Sequence, residues 1–312
     1  MVDDLVDRLA TVLGAAEVSG LAKLSGGASR DTWRFEADGQ PFILQLRRPS
    51  DVRDLSVEVA AVRAAAAAGV PSAAIVAASV DGADLGAPYT IVRLLDGETT
   101  PRKILRDEHY RDARQLLPAQ LAQSLVKIHA LDPGTVPGLV ATDQVDHYRA
   151  ALDELGEPHP TFELALRWLD ANRPPSTGQG VVHGDFRLGN FIVGDEGLRA
   201  VLDWELVHLG DPMEDLGWMS VKSWRFGSPE PVAGLAEYAS FFEAYEAAGG
   251  RAVDPAVVRW WEVLGTMKWG IICVAQANAH LTGTTRSHEL AAIGRRVCEN
   301  EHDLFLALEG RW

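Results

Sequence analysis

Cysteine is almost missing from these 312 residues: only Cys273 and Cys298 occur. They form neither a CxxC pair nor part of a ligand cluster, which excludes a disulfide scaffold and a structural zinc site and suits a reducing compartment. Long hydrophobic runs are missing too. The Ala-rich stretch 59–80 is broken by Arg63 and Pro71, and the apolar segment 271–279 is too short to span a bilayer. Positive charge is scarce, with 29 Lys and Arg against 44 Asp and Glu and a formal net charge of -15. Such an excess repels phosphate backbones and anionic lipid, so nucleic-acid and membrane-surface partners are not expected. Lysine is the scarcest charged residue, at positions 23, 103, 127, 222 and 268. What remains is 47% hydrophobic and 23% charged, a composition that buries a real core. The opening MVDDLVDRLATVLG is acidic and amphipathic, the opposite of a basic leader, so a cytoplasmic protein without an evident obligate protein partner is expected.

Residues 2–13 space Val2, Leu5, Val6, Leu9, Val12 and Leu13 at helical intervals. The pattern then changes to strands at 21–24, 32–36 and 42–47, the last two joined by an Asp38-Gly39 hairpin turn. A helix follows over 51–68, closed by Gly69 with Pro71 just beyond, and two apolar strands at 74–79 and 89–94 complete a small α+β unit. Residues 95–101 (LDGETTP) read as a linker. Helical patterns dominate thereafter, at 112–130, 143–155, 161–172, 233–247, 254–279 and 288–309. One segment interrupts them. Residues 181–203 read as a short strand, a polar loop, a strand at 191–193, a Gly194-Asp195-Glu196-Gly197 turn and a strand at 200–202. A β-hairpin embedded among helices serves to position something.

That interruption carries His183-Gly184-Asp185-Phe186-Arg187-Leu188-Gly189-Asn190, with Asp203 across the hairpin. Asp185 lies in a loop, where its carboxylate can take a proton from a hydroxyl nucleophile. Asn190 and Asp203 offer a small number of hard oxygen ligands, which suits Mg²⁺, an ion that takes its other ligands from water and phosphates. One base and two magnesium ligands describe phosphoryl transfer. The plainer alternative is that His183 and Asp185 brace a turn and Asn190 caps a strand end.

H-G-D-x₄-N followed by an Asp beyond a hairpin is similar to the catalytic loop and metal-binding Asp of the protein-kinase fold. The form resembles that of aminoglycoside phosphotransferases and choline kinase-like small-molecule kinases. The stretches 182–191, Val201-Leu202-Asp203-Trp204-Glu205 and Gly210-Asp211-Pro212-Met213-Glu214-Asp215-Leu216-Gly217-Trp218 carry the resemblance. They look closest to the branch related to the kinase domains fused to acyl-CoA dehydrogenases. The resemblance implies an α+β, bilobal, protein-kinase-like fold. Residues 1–95 would form a small nucleotide-clamping lobe with an antiparallel sheet and one main helix; 96–312 would form a larger, mostly helical catalytic and substrate-binding lobe. It further implies Asp185 as catalytic base, His183 as a brace, Asn190 and Asp203 as Mg²⁺ ligands, and ATP as donor with GTP as the alternative.

Ser25-Gly26-Gly27-Ala28-Ser29 stands where a phosphate-covering loop belongs, Gly26, Gly27 and Ser29 leaving room for backbone N–H groups to reach phosphates. The strand at 42–47 should then present a lysine, and it has none. Alternation puts Arg47 on the face of Gln45, so Arg47 is the expected phosphate contact, with Arg48 second. Glu58 is its expected carboxylate partner, or else a solvated helix charge. Backbone groups from Arg93 to Leu95 would meet adenine. Asp211 and Asp215 resemble carboxylates that tie the catalytic loop, although Asp215 alternatively caps a helix starting near Met213. Trp218, Trp224, Trp260, Trp261 and Trp269 suggest an acceptor with an apolar part. Lys268 reads as a snorkelling surface lysine or as a contact for an anionic acceptor. The expected function is transfer of a γ-phosphoryl group to a hydroxyl of a small metabolite or aminoglycoside-like acceptor, with a hydroxyacyl-type substrate among the options. The alternative is a nucleotide-binding pseudokinase module with weak or no turnover.

Overall fold

The computed structural model describes residues 2–24, 30–49, 51 and 53–311. Its N-terminal part contains α1 (Val2–Leu13), β1 (Val18–Lys23), β2 (Arg30–Ala37), β3 (Gln40–Arg47), α2 (Leu55–Ala67), β4 (Ile75–Ser79) and β5 (Tyr89–Arg93). The five strands form one antiparallel sheet in the order β1-β2-β3-β5-β4. Asp38 and Gly39 both have positive φ, 47° and 73°, the backbone a two-residue hairpin turn demands. Period-two alternation buries Phe35, Phe42, Leu44 and Ile91 on one face, where Leu9 of α1 covers them. The opposite face of β3 looks towards α2. That helix starts at an Asp54 N-cap, whose carboxylate accepts the Ser56 N–H at 2.8 Å, and its first turn buries Glu58.

From Pro101 onward the chain is mainly helical: α3 (Pro101–Arg106), α4 (Arg111–His129), α5 (Gln144–Leu155) and α6 (Pro160–Ala171). Four short strands follow, β6 (Gly180–Val182), β7 (Phe191–Gly194), β8 (Gly197–Val201) and β9 (His208–Gly210). β7 pairs with β8 as the expected hairpin, and β6 pairs with β9 across it. Then come α7 (Met213–Ser220), α8 (Tyr238–Ala247), α9 (Pro255–Leu281), α10 (His288–Gly294) and α11 (Val297–Leu308). A large core joins α4, the hairpin strands, α7 and α8, and a second gathers α5, α6, α9 and α11. This is the α+β architecture that the sequence pattern led us to expect. Among the described residues no helix is long and apolar enough to cross a membrane.

Three boundaries differ from the periodicity. The short α3 follows the linker, its apolar Ile104 fully buried, in a stretch too brief to show a helical period. The helix expected from 233 begins at Tyr238, because Ala233 and Gly234 take positive φ in a turn that bridges Val232 to Ala236. The last helix is split at Arg295 and Arg296. There α10 closes so tightly on α9 that a Cβ on Gly294 would lie 2.5 Å from the Cβ of Ala277.

The pivotal contact is between α7 and α9. A Cβ on Gly217 would fall 2.4 Å from the Trp261 Cβ and 2.7 Å from the Trp261 backbone carbon, so the two helices touch backbone to backbone. Gly217→Ala is therefore expected to destabilise the protein by about 1–3 kcal/mol through overpacking, despite the better helix propensity of alanine. Urea denaturation monitored by circular dichroism checks this; an unchanged or higher midpoint would show that α7 can slide.

Candidate active site

The loop between β6 and β7 is built around a buried carboxylate. Asp215, in the first turn of α7, accepts the His183 N–H and the Gly184 N–H, each at 2.9 Å, and the His129 imidazole at 3.1 Å. Burial opposes ionisation of Asp215 most strongly, but the hydrogen bond from His129 and those from the loop outweigh it and hold its pKa below the usual carboxylate range. His183 is fully buried, and desolvation lowers its pKa, keeping the ring neutral. Its Nδ1 accepts the Asp185 N–H at 3.2 Å, and its Nε2–H donates to the Leu202 carbonyl at 3.1 Å. The ring thus ties the loop to the strand that delivers Asp203. Gly184 has φ +79°, and a Cβ there would strike the Leu206 carbonyl oxygen at 2.5 Å, so only glycine fits. Its carbonyl accepts the Lys268 ammonium at 2.9 Å.

Asp185 is held at both oxygens. Oδ1 accepts the Trp218 indole N–H at 2.8 Å and the Arg187 Nε–H at 2.9 Å, while Oδ2 accepts the Asn190 amide at 2.6 Å. Each carboxylate oxygen can accept twice, so Oδ2 keeps capacity for an incoming hydroxyl. Arg187 in turn lies 4.5 Å above the Trp224 ring. Asp211, the other carboxylate expected to tie the loop, instead accepts the Thr177 and Met213 N–H groups, at 2.7 and 3.0 Å. It bonds the first amide of α7, and Asp215 makes the tie.

Beside this loop lies a cavity of about 440 Å³, of the size small-molecule sites occupy. One end is apolar, walled by Val59, Ile75, Val92, Ile192 and Leu202 and by the backbone at Arg93–Leu95; the other is charged, with Arg30, Glu58, Asn190 and Asp203. Arg93 turns its guanidinium onto the Phe42 ring, 5.5 Å away. The expected loop residues Gly26, Gly27 and Ser29 lie outside the described residues. Glu58 is buried, not solvated, and its partner is Arg30 from β2, bidentate at 2.7 Å and 2.7 Å. Arg47 stands further off Glu58, at 3.7 Å, and is not among the residues lining this cavity. Its strand end, just before Pro49, faces the turn into α2, where Asp51 and the Arg53 carbonyl take its guanidinium. Arg48 pairs with Asp31 at 3.0 Å.

Asp203 has φ +62°, and no donor among the described residues bonds its carboxylate. Burial first, then the negative fields of Glu205 and Asp185, push its pKa up to about 7. An uncompensated carboxylate facing an asparagine amide is a donor set that fits a divalent cation, whose charge would reverse that shift. No group of three or more His, Cys, Asp or Glu side chains that could hold a metal occurs among the described residues, so phosphate and water would have to complete such a shell.

The sequence profile described as the phosphotransferase enzyme family (APH) matches residues 20–261, which include Asp185, Asn190, Asp203 and the Arg30–Glu58 pair. The chain belongs to the phosphotransferase enzyme family. Among curated proteins, this phosphotransferase is 28% identical over 221 residues to mouse acyl-CoA dehydrogenase family member 10; the match covers 64% of this chain but 20% of the mouse protein. Its fold matches a Ralstonia eutropha protein provisionally named an aminoglycoside phosphotransferase, with TM-score 0.74, 20% identity, and coverage of 99% and 98% of the two chains. It also matches a thermostable mutant of aminoglycoside phosphotransferase APH(4)-Ia solved with ADP and hygromycin B, with TM-score 0.64, 18% identity and coverage of 96% and 98%. Both structural likenesses concern the fold.

Three residues of this candidate site carried no assigned role in the sequence pattern, Arg30, Arg187 and Glu205, and Trp218 was read only as part of an apolar acceptor surface. Each reaches the site from a different strand, loop or helix, so no local spacing announces it, although Arg187, Glu205 and Trp218 stand inside quoted motifs. Lys268, expected to snorkel at the surface, is buried against Gly184 and lies 4.5 Å from the Trp218 ring centre. Glu214, 3.5 Å from its ammonium, supplies the opposite charge.

The raised pKa of Asp203 has a stability consequence in metal-free protein. A carboxyl that binds its proton more tightly when folded contributes fully below the unfolded value of 3.8, and that contribution fades as pH rises through about 7. Asp203→Asn should therefore raise the melting temperature at pH 8 and have a smaller effect at pH 5. Calorimetry at the two pH values tests this; an equal or negative shift at pH 8 would mean the carboxylate is already compensated.

Proposed function

We propose that this chain transfers the γ-phosphoryl group of ATP to a hydroxyl of a small, acid-bearing metabolite, with Asp185 as base. The observation that carries the reading is the 2.6 Å hydrogen bond between Asn190 and Asp185, because Asn190 also lines the cavity that holds Asp203 and the Arg30–Glu58 pair. Base, cation ligands and phosphate wall are thereby one construction. ATP would place its adenine in the apolar end, against the backbone at Leu95, and its phosphates at the charged end. Asn190 and Asp203 would hold Mg²⁺, which when bound neutralises charge on the phosphate oxygens. Asp185 takes the hydroxyl proton as the acceptor oxygen bonds to the γ-phosphorus and the bond to the bridging oxygen breaks, releasing ADP. His183 and Asp215 keep that carboxylate in place. Such chemistry with an intracellular donor fits a cytoplasmic enzyme. GTP remains the alternative donor.

A second cleft, of about 790 Å³, supports the acceptor class. It opens beside the catalytic loop: a Cβ on Gly189 would lie 2.8 Å from the Arg187 guanidinium and 3.6 Å from the Pro101 ring, and Arg102 follows directly. Arg102, Arg106, Lys222, Arg225 and Arg296 line it against only two carboxylates, Glu299 and Asp303. Those two pair with Arg296 at 3.3 Å and Lys222 at 2.6 Å, and Arg225 pairs with Glu262 at 2.9 Å, so the excess of positive charge comes from Arg102 and Arg106. In a chain of net charge -15, a cation-lined mouth suits an anionic acceptor and repels a polycationic aminoglycoside. Phe226 in the same wall gives an acyl chain an apolar contact. A hydroxyacyl compound, free or as a thioester, meets both demands, and the likeness to an acyl-CoA dehydrogenase family member points the same way. Nothing in the site favours a module that binds nucleotide without turnover.

Incubation of the protein with MgATP and a panel of hydroxy acids, hydroxyacyl-CoAs, sugars and aminoglycosides, followed by mass spectrometry, tests the reading. A phosphorylated acid is expected. Asp185→Asn should cut turnover by at least about 10²-fold while MgATP still binds. Reversing charge at Arg102 and Arg106 to glutamate should raise KM for the acid by about tenfold, equivalent to about 1.4 kcal/mol. Phosphorylation of aminoglycosides alone would refute the acceptor class.

A further inference from the structure

In the site just described the β3 side chains that line the cavity are Ile43 and Gln45, one apolar and one neutral, yet the phosphate end needs a fixed cation. The strand register shows where one comes from. Thr32 of β2 lies opposite Gln45 and Arg30 opposite Arg47, so Arg30 occupies the same sheet face one diagonal step from Gln45. Its guanidinium enters the cavity wall with Gln45, Glu58, Asn190 and Asp203. Five N–H groups are available to it. Glu58 takes two, at 2.7 Å each, Gln45 takes one at 3.2 Å, and Glu205, two residues beyond Asp203, takes one at 3.2 Å. The fifth, on Nε, is buried and has no partner among the described residues.

We propose that the cation facing the nucleotide phosphates is Arg30, moved one strand over from β3 to β2, with Glu58 as the carboxylate that fixes its orientation and Gln45 as the neutral residue left in the vacated position. The inference rests on the kinase reading above. Two guanidinium groups opposite each other on adjacent strands repel, and the distribution of acceptors decides between them. Glu58 and Glu205 face Arg30, whereas Asp51 and the Arg53 carbonyl draw Arg47 towards the turn before α2. Arg30 therefore sits where an anion can exchange with Glu205 while the fork to Glu58 stays intact. A guanidinium held by a two-point fork keeps its remaining donors aimed, which a flexible ammonium does not.

The test measures Mg·ADP binding by titration calorimetry and the KM for ATP in wild type, Arg30→Gln, Arg47→Gln and the double variant Arg30→Gln/Gln45→Lys, each checked for folding by its melting curve. Arg30→Gln should weaken Mg·ADP binding and raise the KM for ATP by about tenfold, a larger loss than Arg47→Gln causes. The double variant returns a cation to β3 beside Glu58 and should recover most of the affinity. Should Arg30→Gln unfold, the double variant decides alone, since it keeps one cation for Glu58. Equal affinity in Arg30→Gln and wild type, a larger loss in Arg47→Gln, or a folded double variant without recovery overturns the assignment. Absence of Mg·ADP binding in the wild type itself would instead refute the kinase reading, so the two failures are distinct.

Discussion

The carboxylate of Asp215 is the constraint on which the catalytic end of this protein depends. It is fully buried, and everything it bonds comes from elsewhere: two consecutive loop amides before Asp185, and the imidazole of His129 at the end of α4. That imidazole is held on its other nitrogen by the Tyr245 hydroxyl of α8, at 2.8 Å. One charge therefore fixes the relation of three helices to the loop between β6 and β7. Buried ionised groups persist only where their hydrogen bonds are complete, which makes the arrangement an all-or-none feature of the fold. The glycine that permits it, Gly184, and the close α7–α9 contact at Gly217 belong to the same requirement.

Charge is distributed against the average of the molecule. The surface as a whole is acidic, while the cavity wall gathers Arg30, and the neighbouring cleft gathers five further basic side chains. Beside the wall, cations and carboxylates interlock: Glu205 receives Arg30 at 3.2 Å and Arg53 at 2.6 Å, and Asp51 receives Arg53 at 2.7 Å. Asp203 accepts no hydrogen bond from a described residue, and the fields of Arg30 and Arg187 offset only part of the cost of burying it. Its backbone, in a left-handed conformation, is the kind of strained position that appears at functional sites when the surroundings enforce it.

Much of this was legible in the chain because the residues proposed for catalysis lie close together along it. His183, Asp185 and Asn190 fall within eight positions, and the hairpin that carries Asp203 announces itself by a turn between two short apolar runs. The sheet and α2 follow from alternation and capping. What the chain conceals is whatever depends on one strand lying beside another. Arg30 and Gln45 are fifteen positions apart, and only the register of β2 on β3 makes them neighbours. Lys268 hides for a different reason: a lysine in an apolar helix normally reaches for water, and nothing local reveals that a carbonyl and an acidic helix turn wait above it. Both Asp211 and Asp215 read as ties to the loop, with a helix cap as the alternative for Asp215, because both stand near the same helix start; only packing shows that Asp215 bonds the loop amides while Asp211 bonds Thr177 and Met213.

The indole that bonds Asp185 begins a row of aromatic rings. Trp218 lies 5.2 Å from Trp224, and Trp224 lies 4.8 Å from Trp269, with the Arg187 guanidinium over the middle ring. The emission of an indole responds to the hydrogen bond at its nitrogen and to charge above its face, and here the two are set by Asp185 and Arg187. The proposed reaction centre thus carries its own light source: an event that breaks the Trp218–Asp185 bond or withdraws Arg187 should change the colour and yield of the protein's native fluorescence, without a label.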